Sequence, residues 1–158
     1  MAAPNIRRRT RQAAVQALYQ WQMTDQSIDD IRDQFHRRMS PKMIDRDFLG
    51  EILNGVSSDI ERIDALLIPV TDWPIAELDP VERAILRLAA FELRSHAHTP
   101  WRTVIDEAVN LALVFGADQS HRFVNGVLDR LARRLRPEIE GDAGSTIVSA
   151  TQSNERSR

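Results

Sequence analysis

The chain contains no cysteine and no long apolar run, and these two absences exclude several classes of protein. Zero cysteines among 158 residues rule out disulfide bonds, thiolate metal sites and cysteine nucleophiles. No apolar run approaches the ~18 residues that span a bilayer, and the first arginines are not followed by the ~7 to 15 apolar residues of a secretory signal. The composition, 42% hydrophobic and 28% charged, is that of a globular protein with a substantial core. The sequence therefore predicts a cytoplasmic protein without a membrane span.

Signals for catalysis and for bound metal ions are also scarce. His96 and His98 stand two apart at a predicted helix end, where their side chains diverge instead of sharing a ligand. The chain has no His-Glu-x-x-His motif, no Gly-x-Ser-x-Gly elbow, no phosphate-binding glycine loop and no dinucleotide fingerprint. We therefore expect no enzymatic activity, no metal and no cofactor.

The net charge of −2 hides an uneven distribution of charge along the chain. Residues 1–11 carry four arginines and no acid, and residues 122–136 carry five arginines against one aspartate, whereas residues 25–64 hold ten acids and six bases. If the two basic ends meet in space, they form a surface for a polyanion. The alternative is that each basic run is a solvated helix face.

The hydrophobic pattern follows the period of an α-helix from end to end and predicts an all-α fold. A proline-rich connector at residues 69–80 separates an N-terminal half, about residues 5–69, from a C-terminal half, about residues 79–137. We expect one domain over residues 1–139, built as a compact bundle of six to seven helices in two packed halves, and a disordered polar tail over residues 140–158. The predicted helices cover residues 6–23, 28–39, 48–67, 80–96, 103–115 and 120–137.

Several helix ends carry recognisable signals. Ser27 with Asp30 three positions on predicts a capped start for the second helix, and Asp79 followed by Pro80 predicts the start of the fourth. Gly116 predicts the end of the fifth helix. Apolar residues cover most of the fourth helix, so we expect it to lie at the centre of the bundle.

Phe123 in the last helix does not lie on that helix's own apolar stripe. Val124 and Val127 belong to the stripe, whereas Phe123 falls beyond its edge, on the side of Arg130. An aromatic ring beside guanidinium groups suits the unpaired bases and the phosphates of RNA. The ring can instead be covered by the N-terminal segment, and Gly126 indicates either close helix packing or room for a base on the ring. The residues by themselves thus predict a helical adaptor that binds RNA.

Four separated blocks of the sequence resemble the NusB family. The resemblance covers about residues 5–137, and it implies an all-helical fold of two packed halves without catalytic activity. It also implies binding of the single-stranded boxA element of nascent ribosomal RNA together with the ribosomal protein NusE, and assembly of antitermination complexes on RNA polymerase. The matching blocks are RRR at 7–9 with QAAVQALYQW at 12–21, VERAILRLAAFEL at 81–93, IDEAV at 105–109 and FVNGVLD at 123–129.

The resemblance assigns roles to individual positions. Phosphate contacts are implied for Arg7, Arg8, Arg9 and Arg11, base contacts for Gln119, His121, Arg122 and Phe123, and contacts with NusE for Tyr19, Glu82 and Arg87. Many family members have an acid at the position of Gln119. A neutral amide there removes a repulsion against phosphate, so we expect higher RNA affinity.

Two other interpretations compete with the RNA-binding adaptor. A NusB-like domain also begins RNA cytosine methyltransferases, but we expect no such enzyme because the sequence lacks a cofactor-binding catalytic domain and its cysteines. A helical scaffold that binds only protein would use the arginines for solubility. The sequence leaves open whether the protein is a monomer or a homodimer.

Overall fold

A computed structural model of the protein describes residues 4–137 and 139, and the predicted tail at 140–158 lies outside these residues. All regular secondary structure in the described residues is helical, which confirms the predicted all-α class. Two single-turn 3₁₀ helices, Ile68–Val70 and Ile75–Glu77, lie in the predicted connector. The α-helices are α1 Pro4–Met23, α2 Ile28–Arg38, α3 Arg46–Ser58, α4 Ile60–Leu67, α5 Pro80–Ser95, α6 Trp101–Phe115 and α7 Ser120–Leu135.

The predicted helix-end signals are present in the structure. The side chain of Ser27 accepts a hydrogen bond of 3.1 Å from the amide of Asp30. Asp79 Oδ1 accepts from the first amides of α5, at 2.9 and 3.1 Å, and Pro80 opens that helix. Gly116 follows the last residue of α6. The contacts of Ser27 and Asp79 satisfy amide groups that a helix leaves without partners at its start.

The predicted third helix is in fact two helices, α3 and α4. Asp59 interrupts it with φ −129° and ψ 30°, and its carboxylate accepts a 2.7 Å hydrogen bond from Arg94 on α5. The apolar pattern continues in phase through the break, so periodicity alone did not reveal it. Three starts also differ by two residues: α1 begins at Pro4, α3 begins at Arg46 after the cap Asp45, and α6 begins at Trp101 directly after Pro100.

Helix α5 lies at the centre of the bundle, as its sequence predicts. It packs against α1, α3 and α4 of the N-terminal half and against α6 and α7 of the C-terminal half. It approaches α3 closely at Gly55, which lies against the ring of Phe91 with no room for a Cβ atom. Both halves therefore build their core on one shared helix.

The contacts along α5 fix the directions of its neighbours. Near its end, Glu92 binds Arg11 from the start of α1, and near its beginning the carbonyl of Pro80 accepts from Gln22 at the end of α1. Helices α1 and α5 therefore run antiparallel. The end of α7 reaches the end of α5, where Arg136 Nε donates to the carbonyl of Leu93 at 2.9 Å, so α7 runs parallel to α5. None of the helices in the described part of the chain is long and apolar enough to cross a membrane.

Candidate nucleic-acid interface

Three arginines in the first turns of α1 form a basic surface, which we call the N-terminal arginine surface: Arg7, Arg8 and Arg9. The Arg7 guanidinium carbon lies 4.3 Å from the centroid of the Phe48 ring. Arg9 Nε donates to the carbonyl oxygen of Met43 at 2.9 Å. These side chains are exposed or half-buried, so their cationic groups remain within reach of an external anion.

Arg8 is held in a two-bonded ion pair with Glu107 of α6. Its Nε and a terminal nitrogen donate to the two carboxylate oxygens at 3.2 and 3.0 Å. The hydrogen bond and the charge of Glu107 raise the pKa of Arg8 above its ordinary value, so the guanidinium is charged throughout the working range of pH. Because the Arg8 side chain is 53% exposed, a phosphate can approach its guanidinium, and Glu107, which is 16% exposed, would then share this cation with the phosphate.

Arg11 differs from the expectation drawn from the family resemblance. Its side chain is 4% exposed and that of Glu92 is 1% exposed, and two hydrogen bonds of 2.9 and 2.8 Å join them. A phosphate outside the protein does not reach a guanidinium enclosed in this way. We therefore give Arg11 a structural role. The sequence signal for it was Glu92, a carboxylate within the apolar surface of α5, which needs a buried cation as its partner.

The start of α7 presents the second group of candidate residues. Gln119 precedes the helix with φ 70°, in the left-handed region, and its carbonyl accepts from the amides of Arg122 and Phe123 at 3.1 and 3.3 Å. Its side chain is exposed, as is that of Arg122, whereas His121 and Phe123 are half-buried. The left-handed residue turns the chain sharply after α6 and sets which side chains α7 presents at its first turn.

Phe123 lines two adjoining pockets at the beginning of α5. One, of about 340 Å³, also has Gln119, Asp79 and Glu82 in its wall. The other, of about 300 Å³, has Trp73, Asp79 and Glu82. We call them together the Phe123 pocket. Its rim is acidic, which the sequence did not predict, and an acidic rim favours the edges of bases over phosphates because carboxylates accept hydrogen bonds from amino groups.

Two arginines of the basic run at 122–136 have contacts within the protein. Arg130 donates two hydrogen bonds to the carbonyl of Val70, at 3.2 and 2.9 Å. Arg136 is buried, with further hydrogen bonds to the carbonyls of Thr99 and His96 at 3.0 and 3.2 Å. The basic run at the end of α7 is therefore partly internal, and it stabilises the connections around the end of α5.

The two candidate RNA surfaces lie toward opposite ends of α5. Arg11, next to the N-terminal arginine surface, contacts Glu92, whereas Phe123 shares its pocket with Glu82. Ten residues of α-helix separate these acids, which corresponds to about 15 Å. The N-terminal arginine surface and Phe123 therefore lie apart along α5, and the condition that the two basic ends meet in space is not met at the ring. A ligand that contacts both surfaces must extend along the protein, as a single strand can.

The three residues expected to face a protein partner do not lie in one pocket. Tyr19, 40% exposed, lines an apolar groove of about 440 Å³ with Met23, Val81 and Phe115, which we call the Tyr19 groove. Glu82, the neighbour of Val81 in the chain, lines the Phe123 pocket instead. Arg87 lines a third cavity, where it is paired with Asp64 and Gln22.

The charge state of Glu82 is affected by its place in the Phe123 pocket. Burial raises the pKa of its carboxyl above the ordinary 4.5, the negative charge of Asp79 adds to the increase, and a hydrogen bond with Ser120 acts against it. Glu82 is therefore a carboxylate that an incoming donor or cation would stabilise.

Two exposed features escaped the sequence analysis. Trp73 is 61% exposed beside Phe123, and Leu113 and Val114 are exposed on α6. The signal for Trp73 was its position before Pro74 in a connector that lacks an apolar face, because the residue before proline is held extended. Among residues 4–137 and 139, no three His, Cys, Asp or Glu side chains gather as metal ligands do.

The helix order and packing define a class of all-α proteins that includes T. maritima NusB. That structure is 30% identical in sequence, with a TM-score of 0.76 over 90% of this chain and 99% of that one. A family profile described as the NusB family matches residues 8–133. The chain belongs to the NusB family, as the resemblance implied.

Relatives in other organisms match this chain over most of their length. Transcription antitermination protein NusB of Idiomarina loihiensis is 47% identical over 134 residues, which cover 85% of this chain and 96% of that protein. The protein of the same name from Pseudomonas fluorescens is 49% identical over 130 residues, covering 82% of this chain and 78% of that protein. A crystal structure of the antitermination factors NusB and NusE in complex with double-stranded RNA has a TM-score of 0.73 at 21% identity, covering 84% of this chain and 99% of that one, and its likeness shows the fold.

Proposed function

We propose that the protein is a transcription antitermination factor that binds the boxA element of nascent ribosomal RNA together with NusE. In this role it helps to assemble the antitermination complex on RNA polymerase, in the cytoplasm. Its family relatives carry the name of transcription antitermination proteins, and a structure of the same fold holds NusE and RNA. The proposed work is binding, and it needs no chemical step.

The RNA would run along the protein between two contact areas. Arg7, Arg8 and Arg9 bind phosphates at one end, and the salt dependence of affinity then comes from this surface. Phe123 stacks on an unpaired base at the other end, with Gln119 and its neighbours His121 and Arg122 beside it. A stack on an aromatic side chain contributes about 1 to 3 kcal/mol.

The observation that carries the proposal is that Glu82 and Phe123 share one pocket. The resemblance assigns Glu82 to the protein partner and Phe123 to RNA, so the two ligands would meet there. NusE would cover the Tyr19 groove. Val81 lines this groove, and the next residue in the chain is Glu82. If the two ligands contact each other favourably there, each raises the affinity of the other by the same factor, because the coupling free energy is reciprocal.

The proposal is tested by measuring the affinity of a labelled single-stranded boxA-like RNA with and without purified NusE. We expect NusE to raise the affinity of the RNA, and RNA to raise that of NusE by an equal factor. A scrambled single strand and a boxA duplex are the controls, and the duplex matters because the neighbouring complex contains double-stranded RNA. Equal binding of boxA and scrambled strands, with or without NusE, would contradict the proposal.

A second candidate is a protein-binding scaffold without specific RNA recognition. The acidic rim of the Phe123 pocket favours it, because Asp79 and Glu82 repel phosphate and suit a cationic partner side chain. In this case NusE would bind with full affinity, while RNA would bind neither specifically nor cooperatively. The same titrations therefore separate the two candidates.

A further inference from the structure

Trp73 and Phe123 line one cavity of about 300 Å³ within the Phe123 pocket. The Trp73 side chain is 61% exposed, and Phe123 is half-buried. Among the described residues the ring–ring contacts all involve His96, so Trp73 and Phe123 do not stack on each other. The space that they line is therefore open to a ligand, and its volume is at the lower end for ligand pockets, which suits a single ring system.

The backbone on both sides of Trp73 is anchored to the helices that form the pocket. Before it, the carbonyl of Val70 accepts two hydrogen bonds from Arg130 of α7, at 3.2 and 2.9 Å. After it, the carbonyl of Ala76 accepts from Arg83 of α5 at 3.2 Å. Because α7 also carries the second aromatic ring of the pocket, these contacts fix the connector relative to that ring. An aromatic side chain on an anchored segment is prepared for stacking, which lowers the entropic cost of binding.

The other polar side chains that line this cavity are all acidic: Glu77, Asp79 and Glu82. Asp79 Oδ1 accepts from two amides of α5, and the Glu82 carboxyl has a hydrogen bond with Ser120. Each of these two carboxylates is thus held at one point and keeps the capacity to accept further hydrogen bonds. The cavity therefore repels phosphate and favours a group that donates hydrogen bonds.

Two flat rings beside hydrogen-bond acceptors match a nucleobase that carries an exocyclic amino group. The face of such a base stacks on aromatic side chains, and its amino group donates to a carboxylate. Adenine, cytosine and guanine carry an amino group, whereas uracil has none and presents two carbonyl oxygens. An arginine of a protein partner would also suit the acids. However, the exposed Arg122, next to Phe123 in the chain, disfavours a second cation and suits the phosphate that accompanies a base.

We propose that Trp73 and Phe123 form a base slot that selects, at one position of the RNA, a base with an exocyclic amino group. Trp73 stacks on this base, and the carboxylates of Asp79 and Glu82 accept from its amino group. The slot supplies a selectivity that the N-terminal arginine surface cannot give, because phosphates carry no sequence information. This inference rests on the proposed function, since it takes Phe123 as a base contact.

The test compares single-stranded RNA pentamers that differ only in the central base of an otherwise all-uridine strand. Purine in place of adenine keeps the ring system and removes the amino group, and uracil in place of cytosine exchanges the amino group for a carbonyl. Fluorescence anisotropy with the full chain measures each affinity at one salt concentration. We expect the adenine strand to bind about tenfold more tightly than the purine strand, the lower end for a hydrogen bond to a charged group. Cytosine should likewise exceed uracil.

Variants of the slot test its walls and its acids separately. Trp73→Leu should weaken binding of the adenine strand by roughly five- to hundredfold, the range for one base stacked on an aromatic side chain, and Trp73→Phe should restore part of this loss. Glu82→Gln should reduce the ratio of adenine to purine affinity. Asp72→Asn is the matched control: it removes an exposed carboxylate of the same connector outside the cavity lining, and it should leave that ratio unchanged. Circular dichroism verifies that each variant is folded.

Three results would overturn the slot: equal binding of the adenine and purine strands, unchanged RNA affinity in Trp73→Leu, or stronger competition against the adenine strand by N-acetyl-L-argininamide than by adenosine. The last result would assign the cavity to a cationic segment of a protein. The pentamers test the slot apart from boxA recognition. A preference for boxA over a scrambled strand, with equal binding of adenine and purine, would therefore remove the slot and leave the proposed function intact.

Discussion

Arg11 and Glu92 join the first helix to the central one by two hydrogen bonds of 2.9 and 2.8 Å, with both side chains removed from solvent. The pair belongs to the interior, although Arg11 follows the surface arginines in the sequence. Removing one member of a buried ion pair is costly, because the other charge is then left buried without a partner.

Replacing Arg11 by methionine should therefore destabilise the protein by about 3 to 5 kcal/mol. Urea unfolding measures the free energy, and the double variant Arg11→Met/Glu92→Leu should recover much of the loss because no charge is left unpaired. Arg8→Met, which removes a surface arginine, is the matched control and should leave stability nearly unchanged. A small loss in the Arg11 variant would mean that water reaches Glu92.

Phe123 and Arg8 should affect RNA binding in different ways. Phe123→Ala should lower the affinity for a boxA-like single strand by about 1 to 3 kcal/mol at every salt concentration, because a stack involves no counterions. Arg8→Gln should instead reduce the slope of log affinity against log salt by about 0.7, the value for one phosphate contact with a single strand. Fluorescence anisotropy over a series of salt concentrations gives both quantities. Identical salt dependence in Arg8→Gln and the natural chain would remove Arg8 from the RNA surface.

Gln119→Asp should weaken RNA binding by roughly fivefold, because two unit charges 4 Å apart in water repel by about 1 kcal/mol. The new carboxylate would join Asp79 and Glu82 around the Phe123 pocket. Gln119→Asn is the matched control: it stays neutral, and asparagine tolerates the left-handed backbone that this position adopts. Equal RNA affinity of the natural chain and Gln119→Asp would contradict the role given to this position.

Two glycines within helices should respond in opposite ways to alanine. Gly55→Ala should destabilise the protein, because a Cβ there would overlap the ring of Phe91. The expected loss in the free energy of unfolding is at least about 1 kcal/mol, the lower end of the usual cost of overpacking a core. Gly126→Ala should stabilise it by about 0.5 to 1 kcal/mol, since a Cβ there meets only Arg130, at 3.7 Å, and alanine favours the helix. Thermal unfolding measures both. If Gly126→Ala lowers RNA affinity while it raises stability, the open space at Gly126 serves the bound base.

Stability should depend on pH through Glu82. Because burial raises the pKa of its carboxyl above 4.5, the folded protein holds this proton at pH values where the unfolded chain has released it. The free energy of unfolding therefore falls as pH rises from about the ordinary pKa through the folded one. Glu82→Gln removes this loss, so the variant should become the more stable protein across that window and should match the natural chain at lower pH. Parallel curves at all pH values would show that Glu82 titrates normally.

The sequence predicted the all-α class, the central helix and most helix ends, because these depend on local patterns of apolar and capping residues. The break at Asp59 was not predicted, since the apolar positions of α3 and α4 remain in phase and the hydrogen bond that Asp59 accepts there comes from Arg94 on another helix. The exposure of individual charged residues was also hard to predict, because it depends on contacts between residues far apart in the sequence. Whether Arg8 or Arg11 meets solvent depends on carboxylates about 80 to 100 positions away, and no helical period reveals those partners.

The shared position of α5 has a consequence for how the molecule opens. Each half completes its core on that one helix, so neither half keeps a closed interior when the other separates from it. The amides of α5 should then exchange with solvent only when the whole chain unfolds, while α2 and the start of α7 open more often and independently. The base-contacting residues that we propose at the start of α7 thus lie on a faster-opening element, whereas Glu82 and Arg87 belong to the slowest-exchanging helix itself.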